Sequence, residues 1–144
     1  EVQERIVSSN SHFVALVPFW ATWPYEVLII SRTAHQNIKS LSFEEERAFA
    51  EMIQQVTVRY DNLFEMSFPY SSGIHQSPTD GNAYPEWHFH MAFSPPLLRS
   101  ATVKKFMVVY EMFANPQRDI TAEQAAKTLS DLPDVHYSTR QEDL

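Results

Sequence analysis

The sequence predicts an α+β domain, an antiparallel sheet with helices packed on one face. Three observations predict it. Runs of aromatic and branched residues occur with two amphipathic segments, in the order strand, strand, helix, loop, strand, strand, helix. Each amphipathic segment opens on a capping box. Apolar residues make up 44% of a chain of 144, enough for one domain with a sizeable buried core.

The elements follow in order. Residues 1–12 form a short polar lead without an initiator Met, which reads as a cut chain rather than a natural start. Residues 13–20 are apolar on both faces and read as a buried strand, with Pro18 marking an edge or bulge near its end. Residues 25–31 are a second strand, and the short connection makes the pair an antiparallel hairpin. Ser42-Phe43-Glu44-Glu45 is a capping box. Phe49, Met52, Ile53, Val56, Tyr60 and Leu63 follow it at spacings of three and four, one apolar stripe on an amphipathic helix. From 67 to 85 the chain turns to prolines, serines and both of its glycines, a loop with a short strand around Ile74. Residues 86–94 form a strand, ended by Pro95-Pro96. The run 102–113 fits a helical stripe and also a strand face, and its compact aromatic and branched character favours a strand. Thr121-Ala122-Glu123-Gln124 caps a short helix through Leu129, and residues 138–144 form a polar tail.

Composition excludes several classes. A net charge of -7 argues against broad nucleic-acid binding, which needs a basic face. There is no cysteine, so neither a disulfide nor a Cys-based zinc site can form within these residues. No apolar run is long enough to span a bilayer and no signal-peptide pattern opens the chain. These features are compatible with the cytoplasm.

The best-marked chemistry is Trp87-His88-Phe89-His90. Alternate residues of a strand share a face, so His88 and His90 do, with Cα atoms about 6.6 Å apart, two steps of the strand rise. Imidazoles at that spacing can converge on one metal ion or on a phosphate. His75, in the preceding loop, can fold over them as a third ligand. A single strand histidine is more often a hydrogen-bonded residue with no such role, and spacing alone leaves both readings open.

The run from Pro95-Pro96-Leu97-Leu98-Arg99 through Lys104-Lys105-Phe106-Met107-Val108 closely resembles the hallmark segment of galactose-1-phosphate uridylyltransferases. Val17-Pro18-Phe19-Trp20-Ala21-Thr22-Trp23-Pro24-Tyr25-Glu26 is similar to that family's first C-terminal hairpin. Arg59-Tyr60-Asp61-Asn62-Leu63-Phe64, Ser67-Phe68-Pro69-Tyr70 and Gln117-Arg118-Asp119 also match, so the resemblance covers about residues 13–137.

The resemblance implies a histidine-triad-like fold, with residues 13–137 as the C-terminal one of two such halves, and a homodimer of the joined subunits. It implies the exchange of uridine monophosphate between UDP-glucose or UDP-galactose and hexose-1-phosphates, through a His nucleophile. That nucleophile belongs to a His-Pro-His-Gly-Gln motif in the first half. No such motif occurs here, so the resemblance places no catalytic residue in this chain. The family's iron-type site takes a Glu from the first half and three His from the second. His75 and His90 match two of them. The third falls at position 92, where this chain has Ala92, and His88 on the same strand face is the candidate replacement. The implied ion is iron or zinc, and a second zinc site would belong to the N-terminal half. Lys105, Phe106, Tyr110, Glu111 and Gln117 match the hexose-phosphate contacts. Without the resemblance, Lys105 reads as a solvated cation and Glu111 as a polar residue on an open strand face. Arg99 reads as a structural ion pair rather than a phosphate clamp. Two other readings compete: a divergent small histidine-triad hydrolase, which Ala92 disfavours, and a non-catalytic metal- or sugar-phosphate-binding module.

Overall fold

A computed structural model of the chain describes residues 4–95 and 120–141. Period-two burial lays out the sheet. In β2 (Phe13–Leu16) Phe13 and Ala15 are buried, and in β3 (Val27–Ser31) Val27, Ile29 and Ser31 are. The two pair antiparallel, Phe13 opposite Ser31 and Leu16 opposite Leu28, as the expected hairpin. β2 stops at Leu16 rather than running to Trp20. Pro18 has no N–H for a ladder, and its carbonyl accepts the Ala21 N–H at 2.9 Å, which turns the chain. β3 begins at Val27 rather than at Tyr25, because Tyr25 sits in the left-handed region at φ 63°.

The polar lead holds a strand that composition does not announce. β1 (Ile6–Ser9) pairs antiparallel with β2, with a register shift between Ile6 and Ser8, and buries Val7. β4 (Ser71–His75) is the short strand expected around Ile74. β5 (His90–Ser94) starts four residues later than the sequence suggests. A turn closed by Trp87 N–H on the Tyr84 carbonyl delays it, and His88 makes only an isolated bridge, to His35. The strand order is β1-β2-β3-β5-β4, with every neighbouring pair antiparallel.

Helix α1 (Phe43–Phe64) opens on the expected capping box. The Ser42 hydroxyl accepts Glu45 N–H, and the Glu45 carboxylate accepts Ser42 N–H at 2.8 Å. Phe49, Met52, Val56 and Tyr60 of its stripe are buried, while Ile53 and Leu63 pack at the margin. Helix α2 (Ala122–Ser130) has its own capping box at Thr121 and buries Ala125, Ala126 and Leu129 in the same core. Both helices pack on the sheet face that carries Phe13, Ala15, Val27, Ile29 and Phe93. Three Phe rings join the layers: Phe49 lies 5.2 Å from Phe13 and 5.1 Å from Phe89, centroid to centroid.

The far end of α1 is tied to the chain's last described segment. Buried Asn62 donates to the Pro133 and Val135 carbonyls and accepts Tyr137 N–H. Buried Arg59 reaches Asp134 at 2.6 Å. A 3-10 turn over Tyr137–Gln141 therefore replaces part of the expected polar tail. No helix among the described residues is long and apolar enough to cross a membrane.

Candidate functional site

Parity assigns the histidines to the face opposite the helices. Phe89 and Phe93 point into the core, so His88, His90 and Ala92 point away from it. Register then brings the loop's histidine across: His75 is the ladder partner of His90, and Gly73 that of Ala92. The His75 and His90 rings stack, with centroids 4.9 Å apart and planes within 8°. Trp87 lies near His90 as well, at 6.0 Å and 28°, and Tyr84 meets Trp87 edge-on at 6.4 Å. The Trp87 Nε1 is buried with no hydrogen-bond partner among the described residues.

Backbone carbonyls set the tautomers. His88 Nδ1 is 2.8 Å from the Ser31 carbonyl, and His90 Nδ1 is 2.8 Å from the His88 carbonyl. A carbonyl only accepts, so each Nδ1 carries the proton, and in the neutral ring each Nε2 keeps a free lone pair. That is the form that ligates a metal or attacks as a nucleophile. The His75 pKa is lowered from its ordinary value, first by desolvation and then by the neighbouring His90.

A protein metal site ordinarily takes three or four protein ligands. Among the described residues no group of three or more His, Asp or Glu side chains stands close enough to hold an ion. The structure brings His75 and His90 together. It sends the His88 Nδ1 to the end of β3 and leaves no imidazole at 92. Two nitrogen donors suit iron or zinc and form part of a ligand set, which ligands from outside the described residues would have to complete. The expected hexose-phosphate residues Lys105, Phe106, Tyr110, Glu111 and Gln117 lie outside the described residues, as does Arg99.

Sequence reasoning passed over His35 and Glu45. His35 accepts Phe89 N–H on its carbonyl at 2.9 Å, and its ring Nε2 lies 2.8 Å from Glu45 Oε1. Glu45 was visible only as a capping residue, and nothing in the spacing of His35 links it to the histidine strand.

Comparison with known proteins decides the family. The family described as "Galactose-1-phosphate uridyl transferase, C-terminal domain" matches residues 1–141. The chain belongs to that family. A galactose-1-phosphate uridylyltransferase of Haemophilus influenzae is 50% identical over 139 residues, covering 96% of this chain and 40% of that protein. One of Neurospora crassa is 56% identical over 131 residues, covering 89% of this chain and 33% of that protein. The chain thus spans about two fifths or less of these relatives. Among solved structures, one described as "Structure of uridylyltransferase" superposes with a TM-score of 0.79 at 24% identity, over 99% of this chain and 43% of the other. The diadenosine triphosphate hydrolase of Plasmodium falciparum superposes at 0.59 and 14% identity, over 90% of this chain and 76% of the other. At those identities the superpositions speak for the fold alone. For this C-terminal domain they bear out the α+β, histidine-triad-like architecture expected from the sequence.

Proposed function

We propose that this chain is the second half of a subunit that transfers uridine monophosphate between hexose-1-phosphates, converting UDP-glucose and galactose-1-phosphate into glucose-1-phosphate and UDP-galactose. The observation that carries the reading is the family match over residues 1–141, held by a chain that spans two fifths or less of the curated relatives. The preceding half supplies the histidine that takes the uridylyl group, since this sequence has no His-Pro-His-Gly-Gln motif. This half supplies the hexose-phosphate contacts: Lys105 for the phosphate, Glu111 and Gln117 for sugar hydroxyls, with Phe106 and Tyr110 as the further matches to the family's contacts.

His75 and His90 would hold an iron or zinc ion together with a carboxylate from the preceding half, with His88 as this chain's further candidate. Bound there, the ion would act as a structural brace between the halves. The His90 Nδ1–H on the His88 carbonyl supports this reading, because it fixes the ring with Nε2 presented. A working dimer in the cytoplasm completes the proposal.

The test is complementation. This chain alone should show no transferase activity, and the chain joined to a family N-terminal half should show it. Failure of the joined protein to uridylylate a histidine would overturn the reading.

A further inference from the structure

Two arms of the chain leave the sheet at one place. His75 is the last residue of β4, His90 is the first of β5, and the two are ladder partners. Beyond that pair the arms part, one into Gln76 and Ser77, the other back through Phe89 to His88. A ladder end frays unless something past it holds the strands. Here a turn holds them. The His35 carbonyl accepts Phe89 N–H at 2.9 Å, the Gln36 carbonyl accepts Ser77 N–H at 2.8 Å, and Ile38 N–H donates to Gln76 Oε1 at 3.0 Å.

The His35 side chain ties that turn to the start of α1. The His35 Nε2 lies 2.8 Å from Glu45 Oε1 and 3.0 Å from Thr33 Oγ1, and its Nδ1 lies 3.3 Å from Ser40 Oγ. Glu45 is itself anchored, because its other oxygen accepts Ser42 N–H at the start of α1. The His35 and Glu45 side chains are 14% and 15% exposed, so this is not the solvated surface pair that contributes little.

We propose that His35, held by Glu45, is a positioning residue that clamps the two histidine-bearing arms and so fixes how His75 and His90 face each other. It touches no substrate and acts through its own carbonyl and the turn it anchors. The inference rests on the reading of His75 and His90 as the working pair of the site.

The experiment uses the intact subunit carrying this domain, as wild type, His35→Ala and His35→Gln. Amide hydrogen exchange at Phe89 and Ser77 is compared with exchange in β2 and β3, and Co²⁺ serves as the metal probe. His35→Ala should speed exchange at Phe89 and Ser77 by roughly tenfold while β2 and β3 keep their rates. It should also weaken Co²⁺ binding about 10–100-fold, the usual effect of removing a group that orients a ligand. His35→Gln, whose amide can donate to Glu45, should recover most of both. Unchanged exchange at Phe89 and Ser77 in His35→Ala would overturn the clamp. So would an equal rise through β2 and β3, since that reports only a loss of folding stability. A wild type that binds no Co²⁺ counts against the metal reading alone, and the exchange rates still decide the clamp.

Discussion

A single imidazole shows how local wiring becomes chemistry. His75 is exposed and stacked on His90, and its pKa lies below the ordinary histidine value, first by desolvation and then through His90. The native state therefore binds the His75 proton less readily than the unfolded chain does. The stability this gives is complete above the ordinary histidine pKa and is lost as pH falls through the lowered folded value. Truncating the neighbour should relieve the effect: in His90→Ala the His75 midpoint moves up toward the ordinary value, as read by NMR titration of the ring. An unmoved midpoint would show that the stack does not perturb His75. A second residue carries backbone strain. Tyr25 holds φ 63°, and the buried Tyr60 hydroxyl donates to its carbonyl at 2.7 Å. Tyr60→Phe leaves that carbonyl without its partner and should cost about 1–3 kcal/mol, measured by urea unfolding.

At the scale of the element, α1 joins the fold to the site. Its capping box fixes where the helix begins, and the same Glu45 carboxylate grips His35. The Glu45 pKa is lowered, first by the Ser42 backbone hydrogen bond, with His35 contributing. That stability is present above the ordinary carboxylate pKa and lost as pH falls through the folded one. Ser42→Ala should cost about 1 kcal/mol at neutral pH in thermal unfolding. Its cost and that of Glu45→Gln should not add, because both sit in one hydrogen-bond network. Much of this level was legible in the sequence. Both capping boxes and the α1 stripe are local patterns, and local patterns survive into the fold. What was illegible is made by pairing. β1 reads as a polar lead because Ile6 and Val7 are its only apolar residues, and it becomes a strand because β2 offers an edge. His35 matters through a carbonyl, which every residue type carries, so no side-chain pattern marks it. The strand expected at 86–94 is present but begins only at His90, because the Tyr84–Trp87 turn takes the Trp87 amide from the ladder. The pairing of His75 with His90 was open to sequence reasoning only as a possibility, and the β4–β5 register turned it into a contact.

At the scale of the whole molecule the candidate site is a pair of rings. Two imidazoles face each other on the sheet face opposite the helices, and no third acidic or imidazole group joins them among the described residues. Position 92 is where this chain differs from what the family resemblance leads one to expect. Ala92 shares the face of His90 and lies between two ladder partners, Leu28 of β3 and Gly73 of β4, of which only Gly73 puts no side chain opposite it. A larger side chain at 92 therefore meets Leu28 on one side and no side chain on the β4 side, where the His75 ring lies two residues along. If the metal ligands are split between the halves, the isolated chain should bind Co²⁺ weakly and the intact subunit more tightly, since the latter adds a carboxylate. Ala92→His should narrow that gap. A third nitrogen donor turns a two-point contact into the smallest set that protein sites ordinarily use, so Co²⁺ affinity of the isolated chain should rise by roughly tenfold or more. The d–d absorption of bound cobalt reads out both affinity and coordination number. His90→Ala in the same background should abolish the gain, because the new ring would again have one partner only. An Ala92→His chain that binds Co²⁺ no better than wild type would mean that His75 and His90 do not converge on one ion, and that the stacked pair serves the sheet rather than a metal.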